Sequence, residues 1–213
     1  MKHYKSVFEN EQELLKAIIN IHLGGNNIEL DPMYFKGAFY KDGVERPDYC
    51  YDINKEVIWK EKIGVGKRIP ELGDARNLNW HDDNSFNNMI LDPLFLFGLH
   101  GKAKDYYTST TMGIYKNFQE LEKDYKALLK EAYRILKKKG ILIFKCQDYT
   151  DSKTTMTHSL VYNWALERGF YAKDLAILVK PNKIYNGNLT QRHLRKIHTY
   201  FWVFVKPKLR FRA

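Results

Sequence analysis

Asp92-Pro93-Leu94-Phe95 closes the apolar run Asn88-Met89-Ile90-Leu91. A short buried strand that stops at Asp-Pro-x-aromatic puts a carboxylate, a backbone carbonyl and an aromatic face at one tip. Three such groups can hold a planar ring that carries an exocyclic amino group. Three more acids follow strand-like segments upstream. Asp31 closes Ile28-Glu29-Leu30 and opens the loop Asp31-Pro32-Met33-Tyr34-Phe35-Lys36-Gly37-Ala38-Phe39, where Gly37 lets the backbone approach a ligand closely. Asp52 ends the strand candidate running from Tyr49 to Ile53, and can accept two hydrogen bonds from a ribose diol. Asp74, in Gly73-Asp74-Ala75-Arg76, can accept from an adenine amino group or serve equally well as a helix cap.

The elements that must position these acids can be read from periodicity. Leu14, Leu15, Ile18, Ile19 and His22 fall on one face of a helix over about 9–22, which Gly24-Gly25 ends. Phe118, Leu121, Tyr125, Leu128, Leu129, Ala132, Tyr133 and Leu136 predict a long amphipathic helix. Lys137, Lys138 and Lys139 suit its negative end, with Gly140 as the residue after the cap. Ile141 to Cys146 is a buried strand, Leu160 to Arg168 a helix stopped by Gly169, and Asp174 to Val179 and Thr199 to Val205 are strands. The last is aromatic and alternating, as an antiparallel strand would be. Strands with acid-bearing loops, then strand–helix–strand–helix, give an α/β layered fold with a mostly parallel sheet. Ligands in such folds sit at the carboxyl ends of the strands. Four acids at that end in successive units point to one shared site.

The 213 residues suffice for one domain, 1–213, with a basic tail at 206–213. No apolar stretch is long enough to span a membrane, and the charged N-terminus does not read as a secretory signal. Cys50 and Cys146 sit in separate strand-like segments and read as buried thiols in a cytosolic protein. No Cys/His cluster has zinc spacing, so no metal is expected. A formal charge of +10 favours polyanionic partners, and the positive residues cluster between Lys180 and Lys196 and in the tail.

The order of these pieces resembles the S-adenosylmethionine-dependent methyltransferases of Rossmann-like fold. Asp31-Pro32-Met33-x-x-x-Gly37 is similar to their first motif, Asp-Pro-x-x-Gly-x-Gly, with Phe35 where the first Gly usually stands. Asp52 is similar to the acid of the second motif, and Gly73 to Leu78 with Asp82 to Phe86 to the third region. Asp92-Pro93-Leu94-Phe95 is similar to the Asp-Pro-Pro-Tyr/Phe motif of enzymes that methylate exocyclic amino groups of bases, with Leu94 for the second Pro. The phrases Phe35 to Tyr40, Gly140 to Asp148 and His198 to Phe204 have counterparts in small DNA methyltransferases of phages and mobile elements. The resemblance covers roughly residues 10 to 205. It implies a class I fold, a mostly parallel seven-stranded sheet with a C-terminal antiparallel strand. It also implies S-adenosylmethionine as cofactor, held by Asp31, Pro32, Phe35, Gly37, Asp52, Asp74 and Ala75. Asp92, Pro93 and Phe95 would be catalytic, the target adenine N6 or cytosine N4 in DNA, and the setting the cytoplasm of a bacterial host or phage-infected cell.

The implied chemistry is direct methyl transfer. An exocyclic amine is a poor nucleophile because its lone pair is delocalised into the ring. Accepting its two N–H bonds at the Asp92 carboxylate and the Pro93 carbonyl localises that lone pair, and Phe95 stacks on the base. The gain comes from position and electrostatics, not from a strong base. A base in a duplex must be flipped out to reach such a pocket. Position 94 supplies neither acceptor, so losing the second Pro costs preorganisation on the order of 1 kcal/mol.

Two loops are expected to meet nucleic acid. One follows the tetrad, from Leu96 to Lys116, and carries Lys102 and Lys104; the other carries Lys183, Arg192, Arg195 and Lys196. No second domain for reading a sequence is visible, so base readout falls to these loops, a partner or a dimer. Two alternatives stand beside the DNA enzyme: an RNA methyltransferase, whose single-stranded bases are already accessible, and a cofactor- and nucleic-acid-binding protein impaired by Leu94 and Phe35.

Overall fold

The apolar run at 141–146 and the aromatic alternation at 199–205 pair at the middle of a sheet covered on both faces. The computed structural model describes residues 3–55, 70–99, 114–150, 153–180, 192–194 and 196–208. Among them, the sheet has eight strands: β1 (Val7–Phe8), β2 (Leu30–Asp31), β3 (Tyr49–Asp52), β4 (Glu71–Leu72), β5 (Phe86–Leu91), β6 (Leu136–Cys146), β9 (Tyr171–Val179) and β10 (His198–Val205). Their order is β1-β9-β10-β6-β5-β2-β3-β4. Pairing is parallel except around β10, which runs antiparallel to both β6 and β9. Two short strands, β7 (Tyr149–Thr150) and β8 (Thr154–Thr155), form a separate antiparallel pair.

Strands buried on both faces must be apolar throughout. Ile90, Ile141, Ile143, Phe201 and Val203 face the core shared with α1 (Glu11–His22). Met89, Leu91, Leu142, Phe144 and Phe204 face the core shared with α2 (Phe118–Ile135) and α3 (Thr157–Arg168). Asn10 caps α1 by accepting from the Glu13 N–H, Asn117 does the same for Glu120 in α2, and Gly169 closes α3 in the left-handed region at φ 110°. Cys50 and Cys146 are buried free thiols. No helix among the described residues is long and apolar enough to cross a membrane.

Two expectations are corrected here. The sheet gains β1, an N-terminal edge strand too short to show any periodicity, so it has eight strands and not seven. The long helix stops at Ile135, and the lysines 137–139 with Gly140 belong to β6. Lys139 is left-handed (φ 69°), and its N–H donates to the Lys206 carbonyl at 2.7 Å. A Cβ on Gly140 would stand 2.8 Å from the Lys137 carbonyl oxygen, so only glycine fits this crossing. The negative end of α2 is met instead by a lysine about seventy residues away. Lys206 Nζ donates to the Tyr133 carbonyl (2.6 Å), the Leu136 carbonyl (2.7 Å) and Asn84 Oδ1 (2.9 Å). Burial pulls the Lys206 ammonium below its ordinary range, so these acceptors hold a charge that the fold has partly desolvated.

The chain passes from β2 outward through β3 and β4, then returns to place β5 on the other side of β2. The strand order reverses between β2 and β5, and the loops leaving them diverge, opening a crevice at the carboxyl edge. Replacing Lys206 by Met strips three acceptors of a charged donor, and should cost about 2 kcal/mol of stability. Urea unfolding of the two proteins checks this; an unchanged midpoint would remove Lys206 as the cap.

Candidate active site

The crevice holds a cavity of about 470 Å³, within the range of small-molecule sites. Its wall takes Pro32, Met33, Tyr34 and Phe35 from the loop after β2, Asp52 and Ile53 from the end of β3, and Asp74, Ala75 and Arg76 from beyond β4. Asp92, Pro93, Leu94 and Phe95 follow β5 into the same wall. Segments from four strand ends that are distant in sequence thus converge, β6 adding Lys145 and α1 adding Glu11.

Each acid has a definite partner. Asp52 is 1 % exposed and accepts from the backbone N–H groups of Phe35 and Asn54, both at 2.7 Å. Burial raises its carboxyl above the ordinary range, against the pull of those two donors. Phe35 is left-handed at φ 47°, the conformation that the usual glycine at this position would adopt freely. A side chain there costs on the order of 1 kcal/mol, and the hydrogen bond to Asp52 holds it. Asp74 is engaged by Arg76, whose guanidinium approaches at 2.7 Å and spans to Asp124 of α2 at 3.0 Å. Burial pushes Asp74 up, but the Arg76 hydrogen bonds and charge outweigh it and hold the carboxyl below its usual range.

Asp31 does not line the cavity. It lies behind the loop, 1 % exposed, with Tyr40 Oη donating to Oδ2 at 2.6 Å and the Met33 N–H to Oδ1 at 2.9 Å. Burial raises it to about 7. Gly37 also stands outside the wall. Its φ is 62°, and a Cβ there would fall 2.0 Å from the Tyr34 hydroxyl. Gly37 therefore makes room for Tyr34, whose ring stacks on Tyr40 at 5.5 Å and whose hydroxyl accepts from Arg46 at 2.7 Å. These two residues shape the loop that carries Pro32 and Phe35.

The tetrad is clamped from two sides. Lys145 Nζ donates to Asp92 Oδ2 at 2.8 Å, and Tyr125 of α2, fully buried, donates its hydroxyl to the Leu94 carbonyl at 2.9 Å. The second contact fixes the backbone at the position where a second proline would have stiffened it. Lys145, Glu11, Tyr125 and Arg76 were not singled out from the sequence. A lysine inside the apolar run from Ile141 to Cys146 was the visible sign, because a charge in a two-sided strand needs a buried counter-charge.

Of the basic residues expected to meet nucleic acid, Arg192 is exposed and Lys196 half-buried, next to the start of β10. The end of β9 and the start of β10 pair at Val179 and His198, so this connection emerges at the carboxyl edge, the edge of the cavity. Lys102, Lys104, Lys183 and Arg195 lie outside the described residues. The ends of the other loop are joined by hydrogen bonds between Gly98 and Tyr115 (3.0 Å) and between Tyr115 and Leu96 (3.1 Å).

The strand order β4-β3-β2-β5-β6-β10-β9, parallel but for β10, with its crevice at the reversal between β2 and β5, is a Rossmann-like arrangement. The profile of the N6/N4-type DNA methylases matches residues 48–212, and the chain belongs to that family. No curated protein matches the sequence. Among solved structures, a Sulfolobus solfataricus protein described as a type 11 methyltransferase aligns with TM-score 0.52 at 15% identity, over 97% of each chain. PvuII DNA methyltransferase (cytosine-N4-specific) aligns with TM-score 0.49 at 15% identity, over 65% of this chain and 49% of its own. TTHA0409 of Thermus thermophilus, described as a DNA modification methylase and crystallised with S-adenosyl-L-methionine, aligns with TM-score 0.44 at 15% identity, over 66% of this chain and 54% of its own. The chain spans about half the length of the last two.

Asp31 carries the prediction of this site. A carboxyl whose folded pKa of about 7 lies above its unfolded value of 3.8 keeps its extra proton in the folded state. That contribution is fully present below pH 4 and is lost as pH rises through 7. The parent protein should lose stability between pH 5 and pH 8, and Asp31→Asn should flatten that fall, as measured by urea unfolding at both values. An equal fall in both proteins would contradict the assignment.

Proposed function

We propose that this protein transfers a methyl group from S-adenosylmethionine to an exocyclic amino group of a DNA base, adenine N6 or cytosine N4, acting in the cytoplasm. The observation that carries the reading is the Asp92-Pro93-Leu94-Phe95 tip. It stands in one cavity wall with Asp52, Asp74 and Phe35, and its carboxylate and backbone are both held from behind.

The residues present suit the cofactor. Asp52 keeps lone pairs for a ribose diol beside its two backbone donors. Asp74 stands at the next strand end, and Phe35, Ile53 and Ala75 give apolar faces for a purine. When bound, S-adenosylmethionine supplies an electrophilic methyl on a sulfonium, so the protein need only aim the nucleophile. Asp92 and the Pro93 carbonyl accept the two amino N–H bonds, localise the nitrogen lone pair and point it at that methyl. Phe95 covers the face of the flipped base. The methylated nitrogen would then release its surplus proton by way of Asp92 to solvent. Arg192, Lys196, Lys102, Lys104, Lys183 and Arg195 are assigned to the phosphates. Recognition of a base sequence falls to the same two loops, or to a second copy or partner.

The impaired-binder alternative rests on Phe35 and Leu94. Phe35 already holds the left-handed backbone of the glycine it replaces, and the Leu94 carbonyl is pinned by Tyr125. Both features favour turnover.

Labelled methyl transfer to DNA tests the proposal, with RNA as the parallel substrate. Wild type should label DNA, and Asp92→Ala should lower the rate by at least about 1,000-fold, the scale of lost transition-state hydrogen bonding, while cofactor affinity stays within about threefold. A wild type that binds S-adenosylmethionine but labels neither nucleic acid would end the reading. Tyr125→Phe should lower kcat about fivefold, the equivalent of one neutral hydrogen bond of about 1 kcal/mol, with KM for the cofactor unchanged. An unaltered kcat would show that the Leu94 carbonyl needs no anchor.

A further inference from the structure

Lys145 sits one residue before the end of β6, with its side chain 17% exposed. Nζ stands 2.8 Å from Asp92 Oδ2 and 3.1 Å from Glu11 Oε1. It also lies over the rings of Phe39 at 4.7 Å and Phe201 at 5.7 Å. An ammonium in such a place loses its hydration and keeps its charge only if carboxylates replace the water. Two do, from different elements: one from the catalytic tip and one from the first turn of α1.

Asp92 sits in a setting that otherwise disfavours its charge. Burial acts against it, as do Glu11 from α1 and Asp31 from the end of β2. Tyr125 of α2 and the Cys146 thiol of β6 approach it as neutral groups. Lys145, and at longer range Lys180 beyond the end of β9, act in its favour. A protonated Asp92 would present a hydroxyl to the base, and the amino group would lose an acceptor. Among the described residues Oδ1 has no hydrogen-bond partner, while Oδ2 is taken by Lys145.

We infer that Lys145 is a positioning residue of the methyl transfer: it ties Asp92 Oδ2, keeps the carboxylate charged and leaves Oδ1 to accept from the substrate amino group, with Glu11 anchoring the ammonium from α1. This rests on the proposed amino-methyl transfer. It gives the N-terminal helix a part in the chemistry, although the helix has no catalytic group of its own.

The test is the pH profile of kcat for wild type, Lys145→Met, Lys145→Arg and Glu11→Gln, from pH 5.5 to 9. Without the ammonium, Asp92 must lose its proton unaided. The acid limb of Lys145→Met should therefore move up by about one to three pH units, and its rate should recover towards wild type at pH 9. Lys145→Arg keeps the charge and should leave the limb near its wild-type position. Glu11→Gln removes a neighbouring negative charge and should leave the limb in place or move it down. A merely structural lysine would lower the rate by one factor at every pH, and that result, or a Glu11→Gln limb displaced upward as far as that of Lys145→Met, overturns the inference. A 13C-carboxyl NMR titration, with the Asp92 signal assigned through Asp92→Asn, reads the same displacement without turnover. If wild type proves inactive, the functional reading fails, and this titration still decides what Lys145 does.

Discussion

Four carboxyl groups gathered at the carboxyl edge of the sheet are the constraint that the rest of this structure answers. Parallel strands end there side by side, and four neighbours, β2, β3, β4 and β5, end at, or within two residues of, the aspartates 31, 52, 74 and 92. An unpaired carboxylate buried as deeply as Asp52 would cost several kcal/mol. Each is therefore given donors, and the donors shape the loops. Asp31 takes Tyr40 and the Met33 amide, Asp52 the Phe35 and Asn54 amides, Asp74 the Arg76 guanidinium, and Asp92 the Lys145 ammonium. Satisfying the acids and building the cavity wall are one process. Asp52 and Asp92 both stand in that wall, and the proposed function draws on the acceptor capacity they keep.

The two departures from the family pattern are absorbed by the same logic. At Phe35 the loop keeps the backbone shape of a glycine because the Asp52 carboxylate rewards it with a hydrogen bond at 2.7 Å. At Leu94 the ring constraint of a proline is replaced by a hydrogen bond from a fully buried tyrosine. In both cases the backbone at the altered position is held, by a different means. A motif can thus lose a letter and keep its geometry when a distant residue takes over the restraint.

Much of this was legible from local pattern. The acids at the strand tips, the helices around Leu14 and Leu128, the left-handed stop at Gly169 and the antiparallel run from Thr199 all follow from periodicity or turn chemistry, and all are present. What could not be read is long-range. Lys137 to Lys139 look like a helix end, yet Lys206, just past the neighbouring strand β10, caps that end, and the chain begins β6 early. β1 is two residues long and exists only because β9 offers an edge. Asp31 and Gly37 stand outside the cavity wall, a placement that depends on where Tyr34 and Tyr40 pack. Glu11 and Tyr125 read as ordinary members of helices, and nothing local announces that one reaches Lys145 and the other Leu94.

The most direct measurement is single-base sequencing of methylated bases in DNA from cells expressing the wild-type chain or Asp92→Ala, both as folded protein at equal levels. The account predicts N6-methyladenine or N4-methylcytosine in the wild-type DNA and none above background with Asp92→Ala. The same level of modified base in both, or none in either, would contradict it.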